Sequence, residues 1–441
     1  MEIKKIETNY KRKLFFYESK VNSKKYSEKY ENQIINIYPE ITYQSIIGFG
    51  GAFTESTGFA LKSLPKEKQV NLLNEYFSKS GLNYSIGRLP IGSSDFSLKS
   101  YSYSNKADLS DFSIEKDKEY IISTVKSALK INPNLKFLAS IWTPPKFMKS
   151  NKMLVLGGKL LKEHKQTLAD YYCKYIKEYF KNEISINYIT VQNEPNAVQI
   201  WESCLYSPEE EMDFAVNYLF PTLKRNQLNT KILIWDHNKE KLFTRSLAEL
   251  KDNKSLEAIS GIAFHWYTGD HFENIELTHN AFPGKLLFHT EGCTGYSKFN
   301  PKEEVKNAEI YGHDILGDLN SGIHAFIDWN LILDNKGGPN HKLNYCNSPV
   351  MINKEKDDYI KNLTFYYIGH FSKFIQTGAK RIAFSKYTSD IEITSFINPD
   401  NSIAVVLMNR NDFNKEYNLV IKNNIIHDNL DSHAIVTYLI K

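Results

Sequence analysis

Nowhere in the 441 residues does an apolar run approach the roughly 20 residues needed to span a bilayer, so an integral membrane segment is not expected. The first residues, Met-Glu-Ile-Lys-Lys-Ile-Glu-Thr-Asn-Tyr-Lys-Arg-Lys-Leu-Phe-Phe, lack the apolar core and small-residue cleavage site of a secretory signal, and the sequence as written reads as cytoplasmic unless a leader preceded it. Cysteine is scarce. Cys173, Cys204, Cys293 and Cys346 are far apart in sequence and show no close metal-ligand spacing, which favours reduced thiols. His265, His289, His313 and His324 form no H-E-x-x-H or similar arrangement, so neither a metal nor another cofactor is implied. Charge of one sign is not concentrated either: 55 basic and 51 acidic residues are mixed along the chain, leaving a net charge of +4. Only the first 30 residues are biased to lysine, the pattern of a soluble or mobile end and not of a nucleic-acid surface. There is no internal repeat, low-complexity linker or heptad period, and nothing in the sequence sets an oligomeric state.

What is present is enough apolar residue, 41%, for a sizeable core, and length for one large domain plus a smaller one. Eight strand-like runs stand out, at 46–52, 83–91, 136–142, 186–192, 231–236, 261–267, 285–290 and 323–329. Stretches of helical periodicity lie between them, at 65–79, 115–130, 163–181, 208–226, 240–250 and 302–319, with another at 358–375; the pattern is weakest at 270–283. Short apolar strands alternating with amphipathic helices predict an α/β fold with a parallel sheet, and a count of eight predicts closure as a (β/α)8 TIM barrel. Residues 381–440 read differently. Runs at 391–397 and 402–409 flank Asn398-Pro399-Asp400-Asn401 as a hairpin, and further strands are expected at 416–422 and 433–440, which predicts a small β-sandwich. The expected organisation is therefore residues 1–44 adding strands to that sandwich, 45–378 as the barrel and 379–441 as the sandwich proper.

Two segments carry the chemistry. Thr190-Val191-Gln192-Asn193-Glu194-Pro195 and Phe288-His289-Thr290-Glu291-Gly292 each place a glutamate where a strand ends. A barrel gathers its active site at the C-terminal ends of its strands, so Glu194 after the fourth and Glu291 after the seventh face one mouth. Two carboxylates so presented are the working parts of a glycosidase, with one as general acid/base and the other as nucleophile or as base for a water. Other strand ends bring Glu55, Asp95, Trp142, His265, Trp266, Tyr267, Asp328, Trp329 and Asn330: polar groups for sugar hydroxyls and flat faces for a pyranose ring. Each also has an ordinary reading. A glutamate at a strand end is commonly a loop or helix-start charge, the tryptophans can be core, Asp328 can brace a loop, and Cys293 is read as packing.

Nine ordered motifs go further. Gly48-Phe49-Gly50-Gly51-Ala52-Phe53-Thr54-Glu55, Ser93-Ser94-Asp95-Phe96-Ser97, Trp142-Thr143-Pro144-Pro145, Gln192-Asn193-Glu194-Pro195, His265-Trp266-Tyr267, Thr290-Glu291-Gly292-Cys293, Asp328-Trp329-Asn330-Leu331, Gly337-Gly338-Pro339-Asn340 and Gly369-His370-Phe371-Ser372-Lys373-Phe374-Ile375 resemble the successive signatures of family 30 glycoside hydrolases, in the branch that holds glucosylceramidase. The resemblance runs from about residue 45 to the C-terminus. It implies a barrel joined to a β-sandwich built from both chain ends and a retaining mechanism, with Glu194 as acid/base and Glu291 as nucleophile. It further implies Asn193 at the sugar 2-hydroxyl, Trp142 and Trp329 on the glycone, Tyr267 near the nucleophile and Asn344 on the loop after the eighth strand. Glu55 stands where the lysosomal-type enzymes carry Asp, and Trp201 replaces an aromatic on a shorter loop.

The implied reaction is hydrolysis of a terminal β-glucosyl bond, in glucosylceramide or a related β-glucoside, possible only in transient contact with a lipid surface if the substrate is a glycolipid. For that cycle Glu194 needs a raised pKa while Glu291 is charged. Other readings stay open: a β-1,6-glucanase or β-xylosidase acting on soluble glycans, a non-catalytic carbohydrate-binding protein, or a metal-dependent barrel hydrolase, which would show His and Asp ligands in place of the glutamates.

Overall fold

The computed structural model describes residues 2–27, 29–295 and 301–441. Eight parallel strands close a barrel: Gly48–Ala52, Ile86–Ile91, Lys136–Ile141, Tyr188–Thr190, Lys231–Asn238, Ile259–His265, Leu286–Glu291 and Ala325–Asp328, the last pairing with the first. All eight lie at the runs read from the sequence. They are buried on both faces, which is why they appear as near-continuous apolar runs and not as alternating ones. The first strand is rich in glycine because the barrel is tight there. A Cβ on Gly50 would stand 1.6 Å from the carbonyl oxygen of Ile86, a neighbour that cannot give way.

Helices cover the outside, among them Lys66–Phe77, Lys165–Lys181, Leu242–Glu249 and Pro301–Ser321. The weakly patterned stretch is also helical, at Phe272–Ala281. The helix that begins at Pro208 is started by a capping box: the Ser207 hydroxyl accepts from the Glu210 backbone N–H, and the Glu210 carboxylate accepts from that of Ser207. One expectation is corrected. Residues 358–375 are not a single helix, since Asp358–Lys361 is a strand paired with Val350–Asn353, and the helix runs over Leu363–Ser372 only. With Ile332–Asp334 these form a small sheet on the long connection after the eighth barrel strand. The sequence reading missed it because its strands are only three or four residues long.

The second sheet takes strands from both ends of the chain. Ile3–Asn9 pairs with Ala434–Ile440, and Ile34–Ser45 lies between Lys380–Lys386 and Lys415–Ile421. Glu392–Ile397 and Ile403–Asn409 form the hairpin expected around Asn398 to Asn401. Ile35, Val405, Leu419, Val436 and Tyr438 are among its buried core residues. The barrel and sandwich are joined by His370, fully buried, whose two ring nitrogens meet the hydroxyls of Thr437 at 2.8 Å and Thr8 at 2.9 Å. Among the described residues no helix is long and apolar enough to cross a membrane.

Candidate active site

Inward-facing positions along a strand are two residues apart, so a barrel interior is built in layers. One layer here is apolar: Ile86, Leu138, Tyr188, Ala263 and Phe288 pack with Leu233 and Ile327. One step toward the strands' C-terminal ends the same strands carry Arg88, Ser140, Thr190, His265 and Thr290, all buried. The fifth strand supplies Asp236 to this polar layer. It does so through a strained backbone, with φ of +72° at Trp235 and +47° at Asp236. Glu211, from the capped helix, accepts the Trp235 N–H at 2.9 Å and holds that turn in place.

Asp236 is the hub. Its carboxylate accepts from Arg88 (2.8 Å), Ser140 (2.8 Å), Thr190 (2.7 Å) and Thr290 (2.6 Å), and meets His265 Nε2 at 3.1 Å. Burial alone would raise its pKa, but the Arg88 charge and these donors hold it far below the ordinary carboxylate range. Arg88 is fully buried and spends its other donors on Glu291 Oε2 (2.5 Å), Asn193 Oδ1 (2.7 Å) and Ser140 Oγ (3.3 Å). Its guanidinium also lies over the rings of Trp142 and Trp329, 4.8 and 5.6 Å from their centroids.

Glu291 closes the seventh strand and is held from both sides, by Arg88 on Oε2 and by the Tyr267 hydroxyl on Oε1 at 2.9 Å. Glu194 lies beyond the fourth strand, in the left-handed region at φ +49°, with its backbone N–H bonded to the Asp236 carbonyl at 3.0 Å. Its Oε1 lies 3.3 Å from His265 Nδ1. One carboxylate oxygen of Glu194 and one of Glu291 lie within 4.8 Å of each other.

Both ring nitrogens of His265 thus face carboxylates, which only accept, and an imidazolium satisfies both. Burial opposes that charge, but Glu291 and the hydrogen bonds to Asp236 and Glu194 raise the His265 pKa to about 9. The expected elevation of Glu194 is not what this geometry produces. Burial pushes its pKa up, yet the hydrogen bond from His265 and the nearby His237, His265 and Arg88 bring it below the ordinary glutamate value. The reason is the cationic neighbour, which sequence reasoning had not paired with Glu194.

Above this layer opens a cavity of about 370 Å³, lined by Asp95, Trp142, Asn193, Glu194, Gln199, Trp201, Tyr267, Glu291, Trp329 and Asn344 among others. Trp142 and Trp329 stack at 5.3 Å with their planes 20° apart. Because Arg88 takes the Asn193 carbonyl oxygen, the amide NH2 is what remains for a ligand hydroxyl. Of the candidate residues the structure brings together Glu194, Glu291, Asn193, Trp142, Trp201, Tyr267, Trp329 and Asn344, and it leaves out Glu55. That residue begins a helix, and its carboxylate accepts the Leu98 N–H at 2.8 Å, away from the cavity lining. Asp95 stands in the cavity instead, gripped by the side-chain amides of Asn340 (3.2 Å) and Asn344 (3.1 Å), with burial first and the Glu291 charge second raising its pKa to about 7. Trp266 packs on Tyr311 and His289, and Asp328 accepts from Tyr311 at 2.7 Å, so both serve the wall and not the cavity.

Among the described residues two clusters bring enough carboxylate and imidazole together to resemble a metal site: Glu194, His265 and Glu291, and the buried His289, Asp314 and Asp318. In each a basic side chain already sits on the carboxylates, Arg88 on Glu291 and Lys239 on Asp314 and Asp318 at 2.8 and 2.7 Å.

A parallel barrel that presents two glutamates in a cavity lined by stacked tryptophans defines a glycoside hydrolase. The chain belongs to glycosyl hydrolase family 30: the family's TIM-barrel domain matches residues 46–375 and its beta sandwich domain residues 378–438. It is 33% identical to the lysosomal acid glucosylceramidase of Mus musculus over 397 residues, 86% of this chain and 77% of the mouse protein. It is 32% identical to putative glucosylceramidase 4 of Caenorhabditis elegans over 425 residues, 91% of this chain and 82% of that one. Among solved structures, SrfJ from Salmonella typhimurium superposes with a TM-score of 0.97 at 36% identity, covering 100% of this chain and 99% of the other. An endo-beta1,6-glucanase superposes at 0.90 with 29% identity over 100% and 99%.

Proposed function

We propose that this glycosidase is a retaining β-glucosidase whose substrate is glucosylceramide or a related β-glucoside with an apolar aglycone. The observation that carries the aglycone is the rim. Leu156, Val198 and Ile200 are 48%, 60% and 59% exposed on two loops joined by the Leu156 N–H to Gln199 carbonyl bond, next to Trp201 in the cavity lining. Leu343 is 71% exposed, two residues before Tyr345, which lines the cavity. Apolar side chains gathered around a polar sugar pocket suit an acyl or sphingoid chain better than a hydroxyl-rich glucan. The glucosylceramidases among the relatives support the same reading.

A retaining course is supported by the approach of one Glu194 carboxylate oxygen to within 4.8 Å of one of Glu291, since a retaining pair stands closer together than an inverting pair, which must leave room for a water. Glu291, oriented by Arg88 and Tyr267, attacks the anomeric carbon as Glu194 gives its proton to the glycosidic oxygen, so the aglycone leaves as the alcohol and a glucosyl ester forms on Glu291. Glu194, now ionised, takes a proton from water, whose oxygen releases β-glucose. Before substrate binds, the proton for the first step rests on the His265 side of the His265–Glu194 hydrogen bond, and it crosses to Glu194 as the leaving oxygen develops charge. The acid step therefore fails when the pair loses its proton, so kcat/KM falls as the pH rises above about 9. In His265→Gln the proton has only Glu194 to rest on. The alkaline limb of the kcat/KM–pH profile then moves acid-ward by at least about one pH unit, and a limb that stays put contradicts the relay.

The second reading, a β-1,6-glucanase, is favoured by the superposition on such an enzyme. Rates on dispersed glucosylceramide, alkyl β-glucosides of increasing chain length, a β-xyloside and β-1,6-glucan separate the two. The apolar rim predicts kcat/KM rising with alkyl length and highest on the glycolipid, whereas a preference for β-1,6-glucan would overturn the assignment.

A further inference from the structure

Two cysteines that are 53 positions apart in the chain meet in the wall of the sugar cavity. Cys293 follows Glu291 by two residues, and Cys346 lies on the long connection after the eighth barrel strand. The Cys293 thiol points at Cys346 Sγ at 3.1 Å, about 1 Å more than a disulfide bond would need. The backbones on either side are already clamped: Asn347 N–H donates to the Thr294 carbonyl at 2.9 Å, the Asn347 amide donates to the Gly295 carbonyl at 3.1 Å, and Gly295 and Cys346 form an antiparallel bridge. Cys173 and Cys204 are buried elsewhere, with Cys204 against the Gly158 carbonyl at 3.5 Å.

The contact leads directly into the catalytic groups. Cys293 Sγ is 3.5 Å from the Tyr267 hydroxyl, which holds Glu291. Cys346 is preceded by Tyr345 and Asn344, and the Asn344 amide is bonded to Asp95 in the same cavity. We propose that Cys293 and Cys346 form a reversible dithiol/disulfide couple, an oxidation site that tunes substrate binding in this enzyme.

With hydrogen peroxide as oxidant, the Cys346 thiolate attacks one peroxide oxygen, the O–O bond breaks and hydroxide leaves, taking up the thiol proton as water and leaving a sulfenic acid. The Cys293 sulfur then attacks that sulfur, forming the S–S bond and releasing the second water. Two thiols lose two hydrogens and one peroxide becomes two waters. Cys346 takes the first step because the hydrogen bond to Cys346 and burial keep the Cys293 thiol protonated. Cys293 lies two residues beyond the strand that ends at Glu291, and the closing movement is taken up by the Cys346 side chain and by the Asn344–Tyr345 stretch before it, which the Asn347 bonds do not hold. That draws Asn344 from Asp95, loosens the sugar site and raises KM more than it changes kcat.

The test uses the whole enzyme treated with peroxide and mapped by mass spectrometry without reduction, followed by kinetics before and after dithiothreitol. The expected result is a Cys293–Cys346 linked peptide pair lighter by two hydrogens, together with a severalfold fall in kcat/KM that dithiothreitol restores. In both Cys346→Ser and Cys293→Ser, the ratio of kcat/KM after peroxide to that after dithiothreitol becomes one. Peroxide-treated wild type that yields no such linked pair overturns the couple, and a linked pair with unchanged kcat/KM overturns its effect on substrate binding.

Discussion

Glu291→Gln is expected to lose at least about 10⁴-fold in kcat/KM, the scale of loss that follows deletion of a nucleophile. The substitution keeps the shape of the side chain and can still meet Arg88 and Tyr267, so the pocket and its tryptophans stay as they are. What disappears is the charged oxygen that must bond to the anomeric carbon. Substrate should therefore still bind, which equilibrium binding of a β-glucoside to the variant would register. An enzyme in which Glu291→Gln kept most of its rate on an aryl β-glucoside would have its nucleophile elsewhere.

Glu194→Ala is expected to split by leaving group. Acid/base assistance is worth about 10²- to 10⁴-fold, and the full loss falls on alkyl β-glucosides, whose alkoxide cannot leave without a proton. A dinitrophenyl β-glucoside needs little such help, so its first step survives and the glucosyl ester on Glu291 accumulates. Azide needs no general base and should restore turnover, giving β-glucosyl azide. The variant also removes the His265 partner at 3.3 Å, which is why the rescue and not the loss carries the inference. No rescue on the activated substrate would count against Glu194 as the acid/base.

The barrel was legible because its strands are buried on both faces and therefore stand as short apolar runs between amphipathic helices. The glutamates were legible because each follows such a run. Arg88, Asp236 and the pairing of His265 were not, although a charged residue between Gly87 and Leu89 in an otherwise apolar strand is a signal in hindsight. Their meaning lies in convergence: residues 88, 193, 236, 265 and 291 meet only when the sheet closes and its register is set. The exchange of Glu55 for Asp95 has a similar cause. Both follow strands, but Glu55 opens a helix whose geometry turns its carboxylate to the Leu98 backbone, whereas Asp95 is turned inward and held by two amides. The strands at 380–386 and 424–430 do not stand out as apolar runs, since polar residues such as Lys380, Lys386, Asp428 and Asn429 interrupt them, and the first pairs with Ile34–Ser45, far away in the chain.

Double displacement by Glu194 and Glu291 on a β-glucoside releases the sugar with its β configuration kept. Proton NMR of the anomeric region, recorded in the first minutes of hydrolysis before mutarotation, tests it most directly. β-Glucose is expected first, with the α-anomer growing in only as the sugar equilibrates. First release of α-glucose would contradict it.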